Sequence, residues 1–182
     1  MDLVDLFGEA NLKTLALATL EDARDHLLAG RPLRAAFSAA HYVQLADRRG
    51  WTDAEQEEMA RALIDEVRAR LKAGDATAAA WRAGYLRLLT GALPWTEAEW
   101  RRMVAAVLPR PDLRPWKRVW FAGQCADYHL LTDQAFWDRA QLSQMLAAVR
   151  EDFALRLRRG DKLMAADRVV LYKVLGQSLP AS

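Results

Sequence analysis

Five polar side chains of the types used in nucleophilic or acid–base catalysis occur on two predicted helices: His41, Gln124, Cys125, Asp127 and His129. Cys125 and His129 are four residues apart, so both lie on one helix face, as a Cys–His nucleophile requires. Asp127 points elsewhere and cannot orient His129 from within that helix. Because a lone cysteine usually serves as a small buried hydrophobe, we predict a protein that is not an enzyme.

Aromatic and basic residues alternate between positions 100 and 120. Aromatic rings can stack on bases while guanidinium groups hold phosphates, a combination typical of nucleic-acid-binding surfaces. The alternative is that Trp100, Trp116 and Trp120 face the core and leave a solvated basic rim. We define the basic surface, our candidate polyanion- or partner-binding site, as Arg101, Arg102, Arg110, Arg114, Trp116, Lys117 and Arg118.

The charge distribution supports only mild electrostatic attraction to a polyanion. Residues 1–100 carry 12 basic and 16 acidic side chains, whereas residues 101–182 carry 14 basic and 8 acidic ones. The net charge of the whole chain is only +2. An acidic protein partner therefore fits the basic surface at least as well as nucleic acid does.

Bulk composition indicates a helical protein that does not enter a membrane. Hydrophobic residues make up 52% of the 182 positions, and the N-terminus carries acidic residues where a signal peptide needs basic ones. Three scattered histidines and one cysteine provide no metal motif or intramolecular disulfide, and no glycine-rich phosphate loop is present, so we expect no cofactor. Arginine far outnumbers lysine, which is typical of GC-rich genomes. We predict a cytoplasmic, bacterial protein.

The elements that position these residues are set by an internal repeat. An aromatic residue stands at Phe7, Trp51, Trp95 and Trp137, in steps of 44, 44 and 42 residues. In the last three copies it precedes a helix-capping residue, then a Glu or Gln three positions later and a Met seven positions after the cap. That pattern is typical of a capping box preceded by a hydrophobic staple, so we interpret the repeated aromatics as structural rather than as a ligand-stacking ladder.

Hydrophobic periodicity places two helices in each copy. The eight predicted helices cover about 9–29, 32–48, 53–73, 76–90, 97–108, 115–131, 138–159 and 161–176. Prolines at 109, 111 and 115 form an elbow in the third copy. The fold class is therefore all-α: four stacked antiparallel hairpins forming an α-solenoid or a compact helical-repeat bundle. We predict one domain over 1–182, with repeats of about 7–50, 51–94, 95–136 and 137–182.

Short motifs at the hairpin turns resemble those of tetratricopeptide repeats. Gly74-Asp75 with Ala79, and Gly160-Asp161 with Ala165, look like the turn and the start of the second helix in that family. The 44-residue step is closer to the length of HEAT-type repeats. These resemblances imply stacked helical hairpins and, as a class tendency, protein binding.

The sequence therefore favours a non-catalytic helical-repeat interaction module, an adaptor or regulator that binds a protein or peptide. The alternative is a nucleic-acid-binding protein that uses the basic C-terminal half around the 109–118 proline elbow. Homo-oligomerisation stays open, because one sequence does not determine it.

Overall fold

The computed structural model describes residues 3–108 and 116–178, which form nine α-helices and no strand. This confirms the all-α prediction. In chain order the helices are α1 (Leu3–Phe7), α2 (Glu9–Leu28), α3 (Pro32–Ala46), α4 (Asp53–Lys72), α5 (Ala76–Thr90), α6 (Glu97–Val107), α7 (Val119–Thr132), α8 (Arg139–Arg158) and α9 (Lys162–Gln177). Among the described residues, none of these helices is long and apolar enough to cross a membrane.

The capping boxes predicted from the repeat are present at the starts of α4, α6 and α8. Thr52, Thr96 and Asp138 each accept a hydrogen bond from the backbone N–H three residues later. In return, the side chain of that later residue accepts from the amide of the cap. The fainter first copy lacks this device, since Gly8 precedes α2 without a side-chain cap.

The repeated aromatics lie at matching corners, each before the first helix of a hairpin. Phe7 and Trp137 are buried, and Trp51 and Trp95 are partly buried against the core. The staple position after Trp51 is filled by a polar residue, Gln56, and the structure explains why. Its amide accepts a hydrogen bond from the Trp51 indole and donates one of 3.0 Å to the carbonyl of Leu89.

The four hairpins α2/α3, α4/α5, α6/α7 and α8/α9 close into a ring. The second helices of the hairpins, α3, α5, α7 and α9, are the inner ones, and each packs against the next. Helix α9 packs in turn on α2 and α3, so the last hairpin contacts the first. Of the two architectures left open by the sequence, this is the compact bundle, since an open solenoid would keep its end hairpins apart.

The short helix α1 joins the two ends of the ring. Its last residue, Phe7, places its ring centroid 4.7 Å from that of Phe153 on α8 and 5.2 Å from that of Tyr172 on α9. Both pairs meet edge to face, the arrangement aromatic rings prefer. Closure therefore buries apolar surface that the terminal hairpins of an open stack would expose to water.

Two details of the third hairpin differ from the sequence prediction. Its second helix, α7, begins at Val119 rather than near residue 115, which lies outside the described residues. Trp120, which one of the two interpretations placed in the core, is 57% exposed in the first turn of α7.

Candidate functional site

Closure of the ring brings repeat-equivalent residues of the inner helices to one central space. His41 on α3, Tyr85 on α5 and Asp127 on α7 each lie six residues before the C-cap of their helix. Leu171 on α9 lies 11 residues after the turn glycine of its hairpin, as do His41 and Tyr85. All four line a cavity of about 210 Å³, which we call the central cavity. The next equivalent layer contributes Leu88, Leu130 and Val174 to its wall.

The wall of the central cavity is mainly apolar. Besides the residues already named, it contains Val119, Trp120, Ala126 and Val170. Helices α5 and α7 approach closely because Gly84 faces α7, and a Cβ atom there would lie 3.3 Å from both the Asp127 carboxylate and the Leu130 side chain.

A second space, the aromatic cleft, adjoins the central cavity. Its volume is about 490 Å³, and it shares five wall residues with the cavity: His41, Trp81, Tyr85, Asp167 and Arg168. Phe37 stacks on Trp81 at 5.4 Å between ring centroids. Trp81 is 41% exposed, so an aromatic surface faces solvent where the cleft begins.

Asp167 is the centre of a hydrogen-bonded network between the cavity and the cleft. The Tyr85 hydroxyl donates to Asp167 Oδ1 over 3.1 Å, and His41 Nε2 lies 3.2 Å from the same oxygen. The guanidinium of Arg168 pairs with Asp167 Oδ2. Burial opposes ionisation of Asp167, but the hydrogen bond and charge of His41, the charge of Arg168 and the Tyr85 hydrogen bond together lower its pKa.

The other members of this network are also satisfied. Burial, followed by the charge and hydrogen bond of Asp167, raises the pKa of Tyr85 well above its usual value, so the hydroxyl keeps its proton and donates. Arg168 Nε donates to the Asp152 carboxylate over 2.6 Å, and Arg156 Nε lies 3.4 Å from the same carboxylate. Each charge in this group therefore faces an opposite one.

Asp127 is different, because its carboxylate faces the central cavity without a partner in the described part of the chain. Within residues 3–108 and 116–178, no hydrogen-bond donor or cation contacts it. Burial, with the charge of Asp167 as a second cause, raises the pKa of Asp127 to about 8. The carboxyl group is therefore mainly protonated at pH 7 while the cavity holds no cation.

The structure separates the catalytic candidates that the sequence placed together. Cys125 is fully buried in the core shared with α8 and α9 and does not line the cavity. His129 Nδ1 lies 3.2 Å from the Gln134 carbonyl, beside the α7–α8 connection. His41 and Asp127 do meet at the cavity, from opposite sides of the ring. The described residues contain no group of three His, Cys, Asp or Glu side chains able to hold a metal ion.

The structure describes the basic surface at two places, around the start of α6 and just before α7. Arg101 pairs with Glu97 at 2.5 Å, and Arg102 donates to the Leu71 carbonyl over 2.6 Å. Lys117 and Arg118 are exposed just before α7. Arg110 and Arg114 lie outside the described residues.

Trp116 belongs to the core rather than to a stacking surface. Its ring packs edge to face on Phe121 at 5.1 Å and at a tilt on Phe136 at 6.3 Å. The bulky aromatic that remains exposed at the start of α7 is Trp120. Of the described residues of the basic surface, Arg101, Arg102, Lys117 and Arg118 are therefore exposed, whereas Trp116 is partly buried.

Sequence reasoning missed Tyr85, Asp167 and Arg168 as members of a polar site. A signal for Tyr85 was present, because Tyr85 follows His41 by 44 residues, which is one repeat step. Asp167 is likewise equivalent to Phe37 and Trp81, which line the same cleft. Equivalent positions of the four copies meet at one site only if the repeats close into a ring. The sequence does not show this closure, so the shared site of these three residues was not predicted.

In comparisons with known proteins, no family model matches this chain, and neither a curated protein nor a solved structure shows significant similarity to it. The likeness to tetratricopeptide and HEAT-type repeats is thus limited to the turn motifs and the repeat length.

Proposed function

We propose that the chain is a non-catalytic helical-repeat module, an adaptor or regulator, that binds a peptide segment of a partner protein in the central cavity and the aromatic cleft. The observation that carries this proposal is the Asp127 carboxylate, which has no partner among residues 3–108 and 116–178 and lies in an apolar cavity beside an exposed aromatic wall. A few convergent polar groups in an apolar pocket are the usual composition of a binding site.

The central cavity and the aromatic cleft together have room for a short peptide segment. The central cavity, at about 210 Å³, is smaller than the ~300–1,000 Å³ of typical small-molecule sites, but it suits one side chain. The aromatic cleft, at about 490 Å³, offers Phe37 and Trp81 to the neighbouring residues of the segment. A chain that places one residue in the cavity and others along the cleft would use both spaces.

The hydrogen bonds of His41 and the burial of Cys125 weigh against catalysis by these two residues. A general base needs a free acceptor within reach of its substrate. His41 Nε2 is already within 3.3 Å of the Tyr85 hydroxyl and 3.2 Å of Asp167. Cys125, the one thiol, is buried away from the cavity. Among the described residues, Asp127 is the catalytic candidate that keeps a free acceptor at the cavity, and we assign this acceptor to ligand binding rather than to proton transfer.

Trp81→Ala is expected to weaken the binding of selected peptides at least tenfold, because the substitution removes the exposed ring from the cleft. Peptides would be selected from a displayed random library on the wild-type chain, and their Kd values measured by fluorescence anisotropy. Leu28→Ala, at an 88% exposed position on α2, is the control and should leave the Kd values unchanged. A library that yields no enriched peptide, or peptides that bind folded Trp81→Ala equally well, would contradict the proposal.

Nucleic-acid binding through the basic surface is a second candidate, favoured by the exposed Lys117 and Arg118 beside the exposed ring of Trp120. Lys117→Glu with Arg118→Glu should abolish a salt-sensitive mobility shift of mixed oligonucleotides. Arg158→Glu with Arg159→Glu makes the same charge change at the exposed end of α8 and should preserve the shift. No salt-sensitive shift at micromolar wild-type protein would rule this candidate out.

On the basis of the sequence, we also propose that the protein is cytoplasmic and that residues 1–182 form one domain. Homo-oligomer formation is part of the same proposal. Light scattering of the full chain measures the oligomeric state.

A further inference from the structure

We infer that the bound segment places a basic side chain, lysine or arginine, in the central cavity, with its cationic group paired to the Asp127 carboxylate. This inference rests on the proposed function and names the residue type that the cavity recognises. The geometry behind it is an apolar cavity of side-chain size whose lining includes Asp127, a carboxylate without a partner among the described residues.

The charges around the cavity favour a cation. Asp167 is already paired with His41 and Arg168, and Arg168 also pairs with Asp152. Arg168, the cation that could attract an anionic ligand, is thus paired with two carboxylates. Asp127, in contrast, lacks a partner among the described residues. A cationic ligand would leave every charge at the site paired, and an anionic or neutral one would not.

The apolar wall fits the rest of a basic side chain. Lysine and arginine carry a hydrocarbon stem that packs against apolar surface while the charged head finds a polar partner. Leu88, Leu130 and Val174 provide that surface next to Asp127. The exposed ring of Trp120 offers an aromatic face to a cation at the cavity opening.

Binding of the cation is linked to a proton. The other ionisable groups lining the cavity are His41 of α3, Tyr85 of α5, and Asp167 and Arg168 of α9; α6 and α8, which also pack on α7, contribute none among the described residues. Since the pKa of Asp127 is raised to about 8, the carboxyl group must lose a proton to pair with an ammonium or guanidinium group. Affinity should rise about tenfold per pH unit below pH 8 and level off above it, with close to one proton released at pH 7.

The test uses N-acetyl-lysine N-methylamide and its uncharged isostere, N-acetyl-norleucine N-methylamide, on the full chain. We expect the lysine probe to shift the NMR signals of cavity residues and the norleucine probe to bind at least tenfold more weakly. Proton release is measured by calorimetry in buffers of different ionisation enthalpy. N-acetyl-arginine N-methylamide, tested in parallel, shows which of the two cations the cavity prefers.

Asp127→Asn should lose the preference for the lysine probe and the proton release, whereas Asp65→Asn, at an exposed position on α4, should keep both. Absence of any shift with both charged probes, equal binding of lysine and norleucine probes, or lysine binding unaffected by Asp127→Asn would overturn the inference. Its failure is separable from that of the proposed function: selected peptides that need Trp81 but carry no common basic residue would refute only the inference.

Discussion

Asp127→Asn is expected to make the folded protein more stable, and the gain is expected to grow with pH. The pKa of Asp127 is raised from 3.8 to about 8 on folding, so between these pH values the folded state binds more protons than the unfolded state. Stability contributed by this group therefore falls as pH rises from about 4 to about 8. Asparagine has nearly the same shape as aspartate but carries no charge. The free energy of unfolding should therefore be higher in Asp127→Asn than in the wild type, by on the order of 2–4 kcal/mol at pH 8.

Urea unfolding of both proteins at pH 4.5, 6 and 8 measures this gain. Asp65→Asn removes an acidic group of the same type from an exposed position and should change the free energy of unfolding by less than about 0.5 kcal/mol at every pH. A gain that stays constant with pH, or a loss of stability at pH 8, would mean that the Asp127 carboxylate is partnered or solvated in the folded protein.

Asp167→Ala is expected to have the opposite effect and to cost about 2–4 kcal/mol at pH 7. The substitution removes the acceptor of the Tyr85 hydroxyl and the partner of His41, and leaves both in a buried environment. Arg168 keeps its pairing with Asp152, so the loss should stay below that of a fully orphaned buried charge. The quantity to measure is the free energy of unfolding in urea.

The pH dependence of this second effect has a defined sign. The pKa of Asp167 is lowered in the folded state, so its ionic contribution is present above the unfolded value of 3.8 and disappears as pH falls through the lower folded value. The difference between wild type and Asp167→Ala should therefore shrink below pH 4. The exposed control Asp65→Ala should show almost no difference at either pH. A cost below about 0.5 kcal/mol at pH 7 would show that the network does not stabilise the fold.

The two carboxylates are expected to have opposite effects on stability: Asp167 stabilises the fold and Asp127 destabilises it. Asp167 is paired on both oxygens and holds α3, α5 and α9 together. Burial and the charge of Asp167 raise the pKa of Asp127, and perturbed carboxyl groups of this kind are typical of functional sites. That contrast is the physical reason for placing ligand recognition at Asp127.

The helix starts could be predicted from the sequence because the interactions that begin a helix join residues close together in the chain. A capping box needs residues only three positions apart, and the boxes at Thr52, Thr96 and Asp138 are all present. The buried methionines that follow them, Met59, Met103 and Met145, are fully buried as the repeat indicated. Helical spacing within one copy was sufficient for these predictions.

Ring closure could not be predicted in the same way. It depends on contacts between residues far apart in sequence, such as Phe7 with Phe153, and no local pattern specifies that the first and last copies meet. For the same reason, the candidate site could not be predicted from the sequence. His41 and Asp127 stood out by residue type, but their shared cavity exists only because the inner helices surround one axis.

The most direct test of the account is the titration of the Asp127 carboxyl carbon by ¹³C NMR in the full chain, with and without N-acetyl-lysine N-methylamide. A midpoint near pH 8 in the free protein, moved to lower pH by the lysine probe and not by the norleucine probe, is the predicted result. A midpoint near 3.8 in the free protein, the ordinary value for aspartate, would contradict both the unpartnered carboxylate and the recognition of a basic side chain.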